Sequence, residues 1–368
     1  MKLILILLIV VVFLGIAACC FLSQEKFGKA PAGERLARVQ NSPNYKNGGF
    51  QNQVYKPALS EGVSSLSIAL NFLFRPNPQG KPAQPLPAIK TDLRTLPPDQ
   101  DILVWFGHSS YYLQLAGKKM LVDPSFSGMG SPFSFAVLAF PYTENYQADD
   151  MPDLDYVFIT HDHWDHLDYE TILQLKNRTG KFICSLGVGE HLEYWEVAPE
   201  KIIENDWYGI TQLDPGFTVY VLPTHHFSGR GLQRNNTLWA SYVLETPTLR
   251  LYFGGDSGYG GHFADTGSKF DYIDVAILEN GQYNLDWKYH HMQPEETLQA
   301  AVDLKAKTFI PVHSGKFELA HHPWKEPLSR INSLALPVGL RLLTPRIGEP
   351  IFLQGQDRTF TPWWEEAD

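Results

Sequence analysis

The chain opens on a run with no polar face. Leu3 to Leu22 carries no charged residue, and about 20 apolar residues is the length that crosses a bilayer. Residues 23–100 lose that character. Pro, Gly, Asn and Gln are frequent there and strand-like runs are few, which predicts an extended arm lying over a folded body. Within the arm, Val63, Leu66, Ala69, Leu70 and Phe74 recur at helical spacing and predict one helix between Ser60 and Phe74. From residue 101 onward, short runs rich in β-branched and aromatic residues predict strands over Ile102–Phe106, Tyr111–Leu115, Lys119–Val122, Tyr156–Thr160, Lys181–Cys184, Phe217–Leu222, Leu238–Leu244, Leu249–Phe253, Val275–Leu278 and Thr308–Val312. Helical patterns fall between several of them, at Glu190–Glu196 and Pro294–Lys305. The second has Gln293 as N-cap, proline in the first helical position, and Glu295 and Glu296 in the first turn. Strands first in hairpins and then interleaved with helices predict an α/β layered sandwich over 101–368 rather than a simple parallel sheet.

The apolar N-terminus also reads as a targeting segment. Lys2 forms a short charged region before the apolar stretch, and Ile16-Ala17-Ala18-Cys19 has the form of a bacterial lipobox, whose cysteine is lipidated after cleavage. An uncleaved signal anchor is the alternative. Either way residues 1–22 are expected to attach the protein to a membrane of a bacterial cell envelope. Lys26, Lys29, Arg35 and Arg38 are mixed with Glu25 and Glu34, so flanking charge leaves the side of the membrane open. A formal net charge of −10 offers no general attraction to phosphate backbones and argues against a nucleic-acid partner. Two of the three cysteines, Cys19 and Cys20, lie in the N-terminal run. Cys184 is then alone, and the folded body has no disulfide framework.

The candidate chemistry begins at a strand end. His161, His163, Asp165 and His166 lie within six residues, directly after the apolar run Tyr156–Thr160. His161 and His163 face one way if the chain stays extended, and Asp165 and His166 return with the loop. Trp164 between them is expected to shield the cluster. Imidazole and carboxylate are the donors that zinc or iron takes in hydrolytic sites. Further donors are expected at other strand ends: His225 or His226 after Leu222-Pro223-Thr224, Asp256 in Gly254-Gly255-Asp256-Ser257-Gly258, and His313 in Pro311-Val312-His313-Ser314-Gly315. Glycines beside them let backbone come close. His321 and His322 read as residues of an exposed loop.

This order of histidines and aspartates resembles that of the metallo-β-lactamase superfamily, over about residues 101–345. Within it the chain resembles the N-acyl-phosphatidylethanolamine phospholipase D group and its bacterial relatives. The similar pieces are Trp105-Phe106-Gly107-His108-Ser109-Ser110, Leu121-Val122-Asp123-Pro124, His226-Phe227-Ser228-Gly229-Arg230, Gly255-Asp256-Ser257-Gly258-Tyr259, His291-Met292-Gln293-Pro294-Glu295-Glu296 and His313-Ser314-Gly315, with Ser42-Pro43-Asn44-Tyr45 and Phe50-Gln51-Asn52 in the arm.

The resemblance implies a four-layer αββα sandwich that holds two Zn2+ ions, with iron and manganese as alternatives. It implies one ion on His161, His163, His226 and Asp256, and a second on Asp165, His166, Asp256 and His313, bridged by Asp256. His226 is preferred to His225 because the family's ligand precedes an aromatic residue and Ser-Gly-Arg. His108 matches a histidine that orients backbone or a ligand, and His291 matches a position near the substrate phosphate. The implied reaction is phosphodiester hydrolysis by a metal-bridging hydroxide, with Asp165 or Asp256 accepting its proton and His291 acting at the leaving side. The implied substrate is a phospholipid such as N-acyl-phosphatidylethanolamine, met at a membrane surface.

One stretch departs from that pattern. Residues 279–289, Glu279-Asn280-Gly281-Gln282-Tyr283-Asn284-Leu285-Asp286-Trp287-Lys288-Tyr289, are more polar than in the mammalian-type enzymes, which leaves the head group open. A metal-dependent lactonase or nuclease of the same superfamily and a membrane-tethered, non-catalytic binding protein are the other readings. Between Pro124 and Tyr142 the chain has Phe126, Met129, Phe133, Phe135, Val137, Leu138 and Phe140 and no charge. This segment is expected to pass over the metal face, either as a lid on the core or as a surface that docks on a bilayer.

Overall fold

The computed structural model of the protein describes residues 2–355 and 358–367. Met1 of the N-terminal segment and Gln356, Asp357 and Asp368 of the body lie outside the described residues. Helix α1 (Lys2–Leu22) buries none of its residues. With a mean hydropathy of 3.4 it is, among the described residues, the helix long and apolar enough to cross a membrane, properties that a signal sequence shares.

The arm is less extended than its composition predicts. It carries α2 (Gly33–Asn41), a small hairpin of β1 (Tyr45–Lys46) and β2 (Gly49–Phe50), and α3 (Ser65–Phe74). Helix α3 lies inside the predicted window, and Ser64 caps it by accepting from Ser67 N at 3.1 Å. Helix α2 has too few apolar positions to show in a periodicity. Long-range ion pairs fasten it instead: the Arg35 guanidinium reaches Glu190 at 2.8 Å, Glu193 at 3.0 Å and Glu204 at 3.2 Å.

The body starts with β3 (Ile102–Trp105), β4 (Tyr111–Leu115), β5 (Lys118–Val122), β6 (Leu154–Ile159), α4 (Tyr169–Leu175), β7 (Thr179–Ser185), α5 (Gly189–Tyr194) and β8 (Ile202–Asn205). It continues with β9 (Ile210–Asp214), β10 (Phe217–Leu222), β11 (Ser241–Glu245), β12 (Arg250–Phe253), α6 (His262–Lys269), β13 (Ile273–Glu279), α7 (Pro294–Asp303), β14 (Ala306–Val312), α8 (Glu326–Ala335), β15 (Arg341–Leu342) and β16 (Pro350–Phe352). Two seven-stranded sheets result, ordered β16-β3-β4-β5-β6-β7-β8 and β15-β14-β13-β12-β11-β10-β9. Each begins antiparallel and becomes parallel, at β5–β6 and at β12–β13.

Strand alternation sorts the side chains into layers. Tyr111, Leu113, Tyr156, Phe158, Val219, Tyr242 and Phe253 pack together between the sheets. Tyr112, Val157 and Ile159 face outward, where Ile172 and Leu175 of α4 and Leu192 of α5 cover them. Tyr252, Ala276, Leu278 and Phe309 face the other way, under Phe263 of α6, Ala300 of α7 and Ile331 of α8. The architecture is the expected αββα sandwich.

Most predicted strands differ by one to three residues at an end, and two of these differences lie next to the candidate chemistry. The run from Tyr156 ends at Ile159, because Thr160 donates its N–H to Asp123 Oδ1 at 2.8 Å instead of continuing the ladder. The run from Leu238 pairs in the sheet only from Ser241. Leu238 N donates to Leu186 O at 2.8 Å and Ala240 N to Thr160 O at 3.0 Å, so these residues bridge the two sheets. Helix α7 starts as predicted, with Gln293 N donating to Glu296 Oε2 at 2.9 Å.

Candidate metal centre

The candidate donors come from loops at one end of the sandwich. His161, His163, Asp165 and His166 follow β6, His226 follows β10, Asp256 follows β12 and His313 follows β14. The fold brings all seven together around Asp256. Asp256 Oδ2 lies 3.2 Å from His166 Nε2, 3.6 Å from His226 Nε2 and 3.8 Å from His161 Nε2. Asp256 Oδ1 lies 3.2 Å from His313 Nδ1. His163 Nδ1 completes one side, 2.9 Å from His161 Nε2 and 3.2 Å from His226 Nε2. Asp165 Oδ2 completes the other, 3.4 Å from His166 Nε2. Among the described residues the compact donor groups are His161, His163, His226 and Asp256; His108, Asp165, His166 and His313, in which His108 stands where the resemblance put Asp256; and Asp256, Glu279, His291 and His313.

A second ring of contacts fixes which nitrogen faces inward, as partners of metal-bound histidines do. His166 Nδ1 is 2.8 Å from Asp123 Oδ2. His226 Nδ1 donates to His290 O at 3.2 Å. His161 Nδ1 is 3.0 Å from Thr160 Oγ1, whose hydroxyl donates to Asp123 Oδ2 at 2.7 Å. His108 Nε2 lies 2.7 Å from Asp165 Oδ2. Asp123, in the Leu121-Val122-Asp123-Pro124 piece, is the centre of this ring. Backbone conformation is special here too: His108, Asp123 and His313 have φ of 53°, 42° and 65°, in the left-handed region that side chains rarely adopt.

The donor chemistry fits a metal. His166 Nε2, Asp256 Oδ1 and His313 Nε2 are buried without a hydrogen-bond partner among the described residues, and such atoms call for an explanation that a cation supplies. Burial, aided by neighbouring histidines, pushes His161, His226 and His313 well below the usual imidazole range, which keeps their lone pairs free. Burial pushes the Asp256 carboxyl up to about 6. It would also lower His166, yet Asp256, Asp165 and Asp123 around it hold that imidazole well above its ordinary value. A buried cluster that holds protons so unevenly is relieved when a cation replaces them.

The remaining histidines separate clearly. His225 belongs to none of the donor groups among the described residues, and its backbone N–H donates to Ser257 Oγ at 3.1 Å. His291 borders the cluster around Asp256, its ring 5.1 Å from both His313 and His226. His322 is not on an exposed loop, and this corrects the sequence reading. It is half-buried, its Nε2 accepts from Gln282 N at 2.9 Å, and its ring stacks on Tyr283 at 4.6 Å. His321 is likewise half-buried, 4.1 Å from the Phe72 ring. Trp164 does not screen the donors as expected. It packs at 5.0 Å on Phe27 and at 4.0 Å under the Arg230 guanidinium, on the side that meets the N-terminal segment.

This fold and donor arrangement define a metal-dependent hydrolase. A family model described as "Beta-lactamase superfamily domain" matches residues 118–314, and the chain belongs to that superfamily, among its metallo-β-lactamase members. A Mycobacterium tuberculosis protein described as uncharacterized is 35% identical over 339 residues, covering 91% of each chain. The outer membrane protein RomA of Klebsiella pneumoniae is 52% identical over 122 residues, 33% of this chain and 89% of RomA. The N-acyl-phosphatidylethanolamine-hydrolyzing phospholipase D 1 of Caenorhabditis elegans is 27% identical over 243 residues, 62% of this chain and 68% of that one.

Proposed function

We propose that the protein is a membrane-attached phosphodiesterase of phospholipase D type, which cleaves N-acyl-phosphatidylethanolamine-like lipids with two zinc ions in the centre described above. The observation that carries this reading is the cluster of histidines gathered around Asp256, with His291 beside them and relatives named for this hydrolysis. When bound, two such ions supply an activated water at neutral pH and offset charge on phosphoryl oxygens.

The chain's own residues do the rest. Asp123, His108 and His290 O hold the donors in place. Asp165, whose side chain keeps 11% of its surface exposed, faces the cleft with an oxygen able to take a proton from the attacking water. His291, 13% exposed, stands where it reaches an oxygen of the phosphate or of the leaving group. Water adds to phosphorus as it gives a proton to Asp165, the P–O bond to the N-acylethanolamine breaks, the leaving oxygen takes a proton from His291 or from water, and phosphatidic acid remains.

The N-terminus supports a lipid substrate. Helix α1 ends against the aromatic segment: the Phe21 ring stacks on Phe133 at 5.0 Å, and Lys26 Nζ donates to Pro132 O at 2.6 Å. Phe133, Phe135 and Leu138 are exposed beside it. We read this as one apolar surface that rests on the bilayer while α1 as an uncleaved anchor, or a lipidated Cys19 left after cleavage, keeps it there. The envelope location agrees with the name of the Klebsiella relative. The test is hydrolysis by the purified protein of a panel of lipid diesters, soluble diesters and lactones. Turnover confined to lactones would overturn the reading.

A further inference from the structure

Glu279 is the last residue of β13 and opens the stretch that departs from the phospholipase pattern. Its side chain is fully buried. Both carboxyl oxygens are engaged: Oε1 accepts from Met292 N at 2.7 Å, Oε2 lies 2.7 Å from His291 Nδ1, and the backbone of Ser257 also bonds to the carboxyl. Its backbone is held as well, because Thr297 Oγ1 of α7 donates to Glu279 O at 3.0 Å. His291 is therefore gripped from one side. Its ring lies nearly parallel to His313 (14° at 5.1 Å) and edge-on to His226 (66° at 5.1 Å). Nε2 has no hydrogen-bond partner among the described residues.

We propose that Glu279 is a positioning residue for His291: by occupying Nδ1 it turns Nε2 to the cleft beside the metal donors, where a phosphate oxygen of the substrate meets it. The inference rests on the phosphodiesterase reading of this site. Ionised or protonated, the carboxyl occupies the same nitrogen and fixes the ring; the phosphate oxygen then accepts from Nε2–H, which a neutral ring carries when the carboxyl donates to Nδ1 and an imidazolium carries when the carboxyl accepts. Glu279 lies close enough to Asp256, His291 and His313 to be counted with them as a donor. Its oxygens are already engaged, however, and it acts through His291. A buried carboxylate behind a site histidine fixes ring orientation in this way.

Inorganic phosphate, titrated calorimetrically into the metal-loaded full chain, tests this without turnover. His291→Ala is expected to weaken phosphate binding about 10–100-fold, the usual loss when a hydrogen bond to a charged group is removed. Glu279→Ala should weaken it by a similar factor, and the double variant by no more than either alone, because the two act as a unit. Glu279→Gln can still occupy Nδ1 through its amide and should lose less. Metal content should be normal throughout. If Glu279→Ala does not fold, Glu279→Asp replaces it, since a side chain one methylene shorter withdraws from His291. Unchanged phosphate binding in the Ala or Asp variant, additive losses, loss of metal, or no phosphate binding by the unaltered chain would each overturn the proposal. Hydrolysis of a diester by the unaltered chain is read separately. A flat Glu279 series beside active hydrolysis sinks only the positioning role. The expected series beside an inactive chain sinks only the phosphodiesterase reading.

Discussion

Asn52 and His226 exchange two hydrogen bonds: Asn52 Nδ2 donates to His226 O at 2.8 Å, and His226 N donates to Asn52 Oδ1 at 3.2 Å. The same Oδ1 accepts from Trp239 Nε1 at 3.0 Å. A residue of the arm thus holds the backbone of a candidate metal donor in the body. Asn52→Ala leaves that backbone amide unpaired, which costs about 1–3 kcal/mol. We expect a lower melting temperature and a metal affinity reduced about 10–100-fold. A chelator competition with unchanged affinity would make the contact purely structural.

Asp256 lies 3.2–3.8 Å from His161, His166, His226 and His313, whereas His225 belongs to no donor group among the described residues. Asp256→Ala should lose both metals or nearly so by elemental analysis. His225→Ala should keep them. Metal loss in His225→Ala with retention in His226→Ala would reverse the choice between the two histidines.

The metal-free centre holds protons that a cation must displace. Burial puts the Asp256 carboxyl at about 6, and its carboxylate neighbours hold His166 above its ordinary value despite burial. Both groups bind metal only when deprotonated. Apparent metal affinity should therefore fall as pH is lowered from about 8 towards about 6, by up to tenfold per unit for each proton released. Calorimetry in buffers of different ionisation enthalpy counts those protons. An affinity flat across this range would contradict the described proton balance.

Phe133 is 44% exposed and Phe135 80% exposed, and Phe133 carries the end of α1 on its face. Changing both to Ser should lower turnover of a bilayer substrate while hydrolysis of a water-soluble diester persists and the melting temperature holds. If both activities fall along with the melting temperature, the segment is a structural lid.

The parts legible in the sequence are those written in short-range pattern. Tyr111–Leu115 and Phe217–Leu222 alternate cleanly, and the structure keeps those bounds. The donors were legible because each follows an apolar run directly. Strands β8 and β16 and helix α2 were not, since their apolar positions are few and long-range contacts hold them. Glu279 and Asp123 escaped for another reason. A carboxylate that supports a histidine from 12 or 43 residues away leaves no local spacing to read. The arm's grip on His226 is of the same kind, and only the fold reveals it.

The most direct measurement follows both products when the purified chain, with metal present, meets N-acyl-phosphatidylethanolamine in water enriched in heavy oxygen. The account predicts N-acylethanolamine and phosphatidic acid, the heavy oxygen on the phosphate, and turnover that a chelator abolishes and zinc restores. Intact lipid in the presence of a metal-replete chain, or label in a released fatty acid instead of the phosphate, would contradict it.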